Sequence, residues 1–158
     1  MSIERVRSYF HTIGREHDVL EFPVSSATVE LAAQAAGVIP ARIAKTLSFL
    51  VEDGCVLVVA AGDAKIDNSK YKAMFHTKAK MLTAEQVSQF TGHAVGGVCP
   101  FANPDGVRTY LDVSLKRFDT VFPAAGSSNS AIELTCQELE EYSNSLGWID
   151  VCKDWQEA

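Results

Sequence analysis

Residues 42–61 read RIAKTLSFLVEDGCVLVVAA, two apolar runs with a polar turn between them. The Asp-Gly pair inside that turn is a strong signal for a hairpin. We therefore expect two strands, at 43–51 and 56–61, joined by residues 52–54. An apolar antiparallel pair of this length should form the centre of a sheet.

Lys45 interrupts the more apolar face of the first predicted strand. Because side chains alternate between the two faces of a strand, this lysine shares its face with Ile43, Leu47 and Phe49. An ammonium group at that place needs a partner or a cleft. The alternative is a lysine near the strand end whose stem packs on the sheet while its ammonium reaches water. Taken alone, the residues leave both interpretations open.

Helical and extended patterns flank the hairpin on both sides. Helical spacing predicts helices at 3–16, at 67–75 from Asp67, at 84–91 after the capping pair Thr83 and Gln86, at 137–146, and one capped by Ser25 or Ser26 that ends at Gly37. Extended patterns predict strands at 19–22, 79–82, 108–113, 120–122, 131–135 and 148–152. Because the elements lack regular βαβ alternation, we expect one α+β domain over residues 1–158, with a mixed, largely antiparallel sheet flanked by helices.

Composition excludes several classes of protein. The chain has 158 residues, 47% of them hydrophobic, which suits a single core. No apolar run resembles a signal peptide or a membrane span, so we expect a cytoplasmic protein without membrane contact. The four cysteines include no Cys-x-x-Cys pair and the four histidines are isolated, so neither disulfides, a metal nor another cofactor is expected.

Charge is unevenly distributed along the chain. The net charge of -6 argues against general nucleic-acid binding, which requires an excess of lysine and arginine. Residues 65–80, however, hold five lysines and the single acid Asp67, whereas the C-terminal stretch is acidic. One basic surface could therefore meet RNA. The alternative is an ordinary solvated stretch rich in lysine.

Residues 92–101, GHAVGGVCPF, contain adjacent glycines at 96 and 97. Glycine permits backbone conformations in which successive N–H groups converge on one oxygen, so this loop could hold a carbonyl or stabilise an oxyanion. The alternative is a wide turn fixed by prolines. Cys99 also suggests a thiol nucleophile with His93 as its base, although a cysteine beside a proline is more often a packing residue.

Residues 122–134, FPAAGSSNSAIEL, are dominated by small side chains before a predicted strand. Small residues allow a substrate to approach the backbone, and the hydroxyl and amide groups can orient it. The alternative is a flexible surface turn.

In this order, the segments resemble the YbaK family of aminoacyl-tRNA deacylases, which is related to the editing domain inserted in bacterial prolyl-tRNA synthetases. The resemblance extends from about residue 24 to residue 139. It is carried by Ala44-Lys45-Thr46-Leu47, by Gly62-Asp63 before the lysine-rich helix, by Thr91-Gly92-His93 leading to a Gly-x-x-x-Pro loop from Gly96 to Pro100, and by Gly126 with Ile132-Glu133-Leu134.

The resemblance implies a mixed sheet curved around a small pocket, and hydrolysis of the ester that joins an amino acid to the 3′ end of tRNA. By position, Lys45 matches the lysine on which activity in the family depends, and the loop from Gly96 to Pro100 matches the wall that receives the aminoacyl group. An ammonium at Lys45 can pair with the phosphate of the terminal adenosine and so fix the ester against the loop amides. A ribose hydroxyl of the substrate, or a water that it orients, then transfers the proton. The catalytic positions implied are Lys45, Gly96 and Gly97, and the substrate-binding positions are Thr46, His93, Val98, Cys99, Pro100, Gly126, Ser127 and Asn129.

Two departures from the family pattern leave the substrate open. Some relatives carry an acidic residue in place of Ala131 and often a serine in place of Cys99. Alanine, serine, cysteine and threonine on tRNA all remain candidates. The expected partner is the acceptor end of aminoacyl-tRNA, with an aminoacyl-tRNA synthetase as a second candidate. The main rival is a non-catalytic module of the same fold that binds tRNA or a synthetase; a thiol hydrolase using Cys99 is the third.

Overall fold

The computed structural model describes residues 2–52, 54–93 and 97–155. In that part of the chain, helices α1 to α5 are Ser2–Thr12, Val29–Ala36, Asn68–Phe75, Ala84–Thr91 and Cys136–Tyr142. Strands β1 to β10 are Val19–Glu21, Ile43–Val51, Gly54–Ala61, Lys65–Ile66, Arg108–Asp112, Thr120–Pro123, Ser130–Ile132, Leu134–Thr135, Trp148–Ile149 and Cys152–Lys153.

The predicted hairpin lies at the centre of a six-stranded sheet with the order β8-β6-β2-β3-β5-β9. Strands β2 and β3 pair antiparallel, with Lys45 opposite Ala60. The turn position Asp53 lies outside the described residues. The α+β class and the mixed sheet are confirmed. Three of the five pairings in this sheet are nevertheless parallel, β2 with β6, β3 with β5 and β5 with β9, so the sheet is less antiparallel than expected.

Two of the predicted helix starts have the expected caps. The Asp67 carboxylate accepts hydrogen bonds from the amides of Ser69 and Lys70 and begins α3. Thr83 and Gln86 form a reciprocal capping box at α4. In each case the side chain occupies backbone N–H groups that have no partner within the helix.

The start of α2 was predicted wrongly. Thr28, not Ser25 or Ser26, caps this helix by accepting a hydrogen bond from Leu31 N at 3.2 Å. The hydroxyls of Ser25 and Ser26 instead donate to the carbonyl oxygen of Ser128, at 3.5 and 3.3 Å. These two serines therefore connect the segment before α2 to the loop that contains Ser128.

Among the other predicted elements, five differ most from the structure. The segment 79–82 makes a single bridge, Met81 with Phe49, beside β2. Helix α1 ends at Thr12 and α5 at Tyr142, each four residues early, and 131–135 is divided into β7 and β8. The predicted strand 148–152 is divided into β9 and β10. Between them, Val151 N donates a hydrogen bond to Asp112 Oδ1 at 2.9 Å.

Two helices pack beside the central strand and leave a space between them. Helix α2 packs with Ala33 on Ile43 and Phe122. Helix α4 packs with Val87 on Cys55 and Leu82. Strand β3 is buried from Cys55 to Ala61 and lies at the centre of the main core.

Candidate functional site

A cavity of about 370 Å³ lies over strand β2, between the beginnings of α2 and α4. Its lining is formed mostly by small and hydroxyl-bearing side chains. The residues that line it are Ser26, Ala27, Thr28, Val29, Ala32, Ile43, Ala44, Lys45, Thr46, Ser48, Met81, Leu82, Ala84, Val87, Val98, Phe122, Ala124, Ser130 and Ala131. Because Lys45 is the sole titratable side chain in this described lining, the cavity offers one cation and several neutral polar groups.

The Lys45 side chain is half-buried and held by main-chain oxygens. Its Nζ donates hydrogen bonds to the carbonyl oxygens of Gly62, at 3.4 Å, and Ala64. Burial lowers the pKa of Lys45, and the nearby charge of Lys65 adds to this effect. An ammonium group has three N–H donors. Two are used by the protein, so one N–H remains for a ligand in the cavity.

The Gly62-Asp63 turn fixes the carbonyl oxygens that hold Lys45. A Cβ atom at Gly62 would lie 2.1 Å from Pro40 O and 2.7 Å from Val29 Cγ1, so only glycine fits against this part of the chain. Asp63 accepts two hydrogen bonds from Arg117, at 2.6 and 3.0 Å. These bonds lower the pKa of Asp63. No local pattern in the sequence predicts this pair, whose members are 54 positions apart.

Thr46 offers the cavity a hydroxyl without a protein partner. Its Oγ1 atom is buried and forms no hydrogen bond with any described residue. A buried hydroxyl without a partner is costly, so a polar ligand group that binds it is favoured. Ser48 and Ser130, both buried, line the same cavity and were not singled out from the sequence.

The structure brings the glycine loop against the Gly126 segment. A Cβ atom on Gly97 would lie 3.0 Å from Gly126 O and 3.0 Å from Ser127 Cα, so the two backbones are in close contact. Val98, the next residue, lines the cavity. Gly96 lies outside the described residues. The proximity of these two segments could not be read from their order in the chain.

Ser127 and Asn129 brace the cavity wall and do not line it. The Ser127 hydroxyl lies 2.8 Å from Asn129 Oδ1 and 2.7 Å from Ser130 Oγ. Asn129 Nδ2 donates to Phe22 O at 3.1 Å, and Phe22 N donates to Asn129 O at 2.7 Å. Residues 124–131 therefore form hydrogen bonds that fix the segment before α2, which lies beside the cavity.

His93 and Cys99 are in contact, but they lie in the core away from the cavity lining. Cys99 Sγ is 3.6 Å from His93 Nε2, which is also 3.2 Å from Phe101 O and 3.3 Å from Arg5 Nη2. Burial lowers the pKa of His93 to about 4 and raises the pKa of Cys99 to about 12. A neutral thiol beside a neutral imidazole, both without exposed surface, does not form an activated nucleophile.

Six of the eight sequence-predicted substrate contacts are absent from the described lining, namely His93, Cys99, Pro100, Gly126, Ser127 and Asn129. His93 and Cys99 are fully buried in the core, and Pro100, which follows Cys99 in the chain, is also buried. The sequence could not show this, because a loop lacks the periodicity that separates inward from outward positions.

The described residues offer neither a metal site nor a membrane span. No group of three or more His, Cys, Asp or Glu side chains in this part of the chain is arranged to hold a metal ion. None of its helices has the length and apolar character needed to cross a bilayer.

Residues 24–142 match the family model of the aminoacyl-tRNA editing domain. This match spans most of the chain and includes every residue of the cavity lining. The chain therefore belongs to the aminoacyl-tRNA editing domain family, as the resemblance predicted.

The chain is also similar to three individual proteins, two of which are related by name to prolyl-tRNA synthetase. The chain is 59% identical over 157 residues to the protein YwhH of Bacillus subtilis (strain 168), covering 99% of this chain and 100% of that one. It is 30% identical over 90 residues to the proline–tRNA ligase of Thermotoga neapolitana, covering 56% of this chain but 15% of the ligase. A crystal structure of a proposed trans-editing enzyme for prolyl-tRNA synthetase is 31% identical and superimposes with a TM-score of 0.86, covering 96% of this chain and 97% of that one.

Proposed function

We propose that this chain is an aminoacyl-tRNA deacylase that acts in trans, hydrolysing the ester between a small amino acid and the 3′ end of tRNA. The observation that carries the proposal is the Lys45 ammonium, held at the wall of a small cavity by two main-chain carbonyl oxygens. The family supports an editing role, and the similar trans-editing structure supports action on tRNA released from a synthetase.

Lys45 binds and positions the substrate in this proposal. Its remaining N–H donor pairs with the phosphate of the terminal adenosine and places the adjacent ester over the cavity. The buried amine is not proposed as the base, because its ammonium form already donates to Gly62 and Ala64. Replacing the ammonium removes the phosphate contact and the bracing of the turn together.

The protein offers no carboxylate, imidazole or thiol in the described cavity lining. The proton of the attacking water is therefore transferred through the ribose hydroxyl next to the ester, or through a water that this hydroxyl orients. The loop that contains Gly97 and Val98 supplies main-chain N–H groups for the oxyanion. Such preorganised donors stabilise developing charge strongly in a site that excludes water.

The cavity is suited to a small aminoacyl group. Ala44, Ala124 and Ala131 line it with single methyl groups, and Phe122 limits its width. The unpartnered Thr46 hydroxyl in the lining accepts a hydrogen bond from the substrate's α-amino group in this proposal. Alanine, serine, cysteine and threonine fit this description, whereas larger side chains are excluded by size.

The proposal is tested by deacylation of a panel of alanyl-, seryl-, cysteinyl-, threonyl- and prolyl-tRNA. We expect faster release of at least one of the small amino acids than in the uncatalysed control. A non-catalytic binding module would instead bind tRNA and hydrolyse no member of the panel. The proposed reaction takes place in the cytoplasm on aminoacyl-tRNA, and a synthetase that produces the mischarged tRNA is the natural partner.

A further inference from the structure

Two lysines lie directly opposite each other on a short antiparallel ribbon beside Lys45. Strands β4 and β10 pair Lys65 with Lys153 and Ile66 with Cys152. Because side chains alternate between faces, the pair Ile66 and Cys152 faces inward, while both lysines are exposed. We call Lys65 and Lys153 the lysine ribbon.

The positive charge of the lysine ribbon is offset only in part, through the effect of Lys153 on the nearby Asp67 carboxylate. Like charges directly opposite each other destabilise a strand pair. Among residues 2–52, 54–93 and 97–155, neither ammonium forms a hydrogen bond or an ion pair. An anion placed between the two ammonium groups would relieve their repulsion.

Three carboxylates on neighbouring segments form their hydrogen bonds with groups other than these two lysines. Asp67 caps α3 through the amides of Ser69 and Lys70. Asp63 is held by Arg117. Asp150 accepts a hydrogen bond from Lys70 at 3.1 Å. None of these three carboxylates forms an ion pair with Lys65 or Lys153, so both ammonium groups can still bind an external anion.

The ribbon adjoins the candidate site. Lys45 Nζ donates to the carbonyl oxygen of Ala64, the residue that precedes Lys65 in the chain. Lys65 is also close enough for its charge to act on the pKa of Lys45. A polyanion whose end reaches Lys45 therefore lies within reach of the charge on Lys65, and Lys153 is its cross-strand neighbour.

We propose that the lysine ribbon binds the phosphate backbone of the tRNA acceptor arm while the aminoacyl end occupies the cavity. This inference rests on the proposed function, which supplies the polyanion. A chain of net charge -6 repels RNA over most of its surface, so a local pair of free ammonium groups selects where the backbone makes contact.

The test compares wild type, the double variant Lys65→Ala/Lys153→Ala and the control Lys116→Ala. Lys116 is an exposed lysine elsewhere, with Nζ 4.6 Å from the centre of the Trp148 ring on β9. Binding of uncharged tRNA is measured from 50 to 200 mM salt. We expect the double variant to bind about tenfold or more weakly at low salt, and the slope of log affinity against log salt to fall by about 1.5. The control should match wild type.

Two substrates separate this inference from the proposed function. On aminoacyl-tRNA, the double variant should have a higher KM and an unchanged kcat. On the 3′-aminoacyl ester of adenosine 5′-monophosphate, which lacks the acceptor arm, it should match wild type. Unchanged tRNA affinity and salt slope, or an equal loss on the small ester, would overturn the inference. If wild type hydrolyses neither substrate, the proposed function fails, while the tRNA-binding comparison still decides this inference.

Discussion

The Lys45 ammonium donates a hydrogen bond to the carbonyl oxygen of Ala64, 19 positions further along the chain. The same turn carries Gly62 O, the second acceptor, and Asp63, which Arg117 anchors. A single lysine is thereby oriented by a turn that is itself fixed from two sides. This arrangement gives the half-buried cation a defined position at the cavity wall.

Activity should decline at alkaline pH because of Lys45. Burial lowers the pKa of this ammonium below its ordinary value. The protonated form binds phosphate, so kcat/KM should be full below the lowered pKa and fall as pH rises through it. The measurement is kcat/KM against pH, with spontaneous ester hydrolysis subtracted. The variant Lys45→Met should lack this alkaline decrease in kcat/KM. A rise in the kcat/KM of wild type over the same pH range would instead indicate that the neutral amine acts as a base.

The substitution Gly62→Ala should destabilise the fold and the site together. Its Cβ would meet Pro40 O at 2.1 Å, so the backbone must move. We expect a loss of about 1–3 kcal/mol in the free energy of unfolding, measured by denaturant titration. Gly106→Ala is the matched control, since nothing lies within 4 Å of its Cβ. Equal stability of the two variants would contradict the packing described for the turn.

Removal of the Cys99 thiol should leave catalysis intact. The sulfur is buried in the core, and its pKa is raised to about 12. We expect Cys99→Ala to keep kcat/KM within about twofold of wild type and to lose roughly 1 kcal/mol of stability. Cys99→Ser serves as the near-isosteric companion. A hundredfold loss of kcat in both folded variants would restore the thiol-hydrolase interpretation.

Enlarging Ala131 should change which amino acid is released. This buried residue lines the cavity and forms a bridge with Ala124. In Ala131→Val, two added methyl groups narrow the space, so kcat/KM for threonyl-tRNA should fall about tenfold more than that for alanyl-tRNA. Ala73→Val, at an exposed position of α3, should preserve the wild-type ratio. An identical decrease for both substrates in Ala131→Val would show that this residue does not select by size.

Buried histidine should make the fold sensitive to acid. The pKa of His93 is lowered to about 4, below its value of about 6.5 in the unfolded chain. The unfolded state therefore binds more protons, so the stability contributed by neutral His93 is present above pH 6.5 and lost as pH falls toward 4. We expect a loss of roughly 2–3 kcal/mol across this window, measured by urea unfolding. In a His93→Gln variant, the free energy of unfolding should decrease less over the same pH range. An equal decrease would contradict the assignment of the acid sensitivity to His93.

Local signals were sufficient for much of the fold. The turn at 52–54 predicts the β2–β3 hairpin, and the side chains of Asp67 and Thr83 predict the starts of α3 and α4. Each depends on neighbours within a few positions. The parallel pairing of β3 with β5 depends on contacts across about fifty positions, and no local pattern encodes it.

The candidate site, like the fold, was predicted from the sequence only in part. Lys45, Thr46 and Val98, all singled out from the sequence, line the cavity. Whether a loop residue such as His93 faces the cavity or the core depends on its contacts with Phe101 and with Arg5, and Arg5 is 88 positions away in the sequence. Long-range contacts also determine the position of the lysine ammonium.

Comparison of wild type and Lys45→Met on the most rapidly hydrolysed mischarged tRNA tests the central claim most directly. The methionine keeps the length of the stem and removes the cation. Provided that thermal unfolding shows a folded variant, we predict a loss of about 100-fold or more in kcat/KM. A folded Lys45→Met protein with the full wild-type rate would contradict the proposed role of this ammonium.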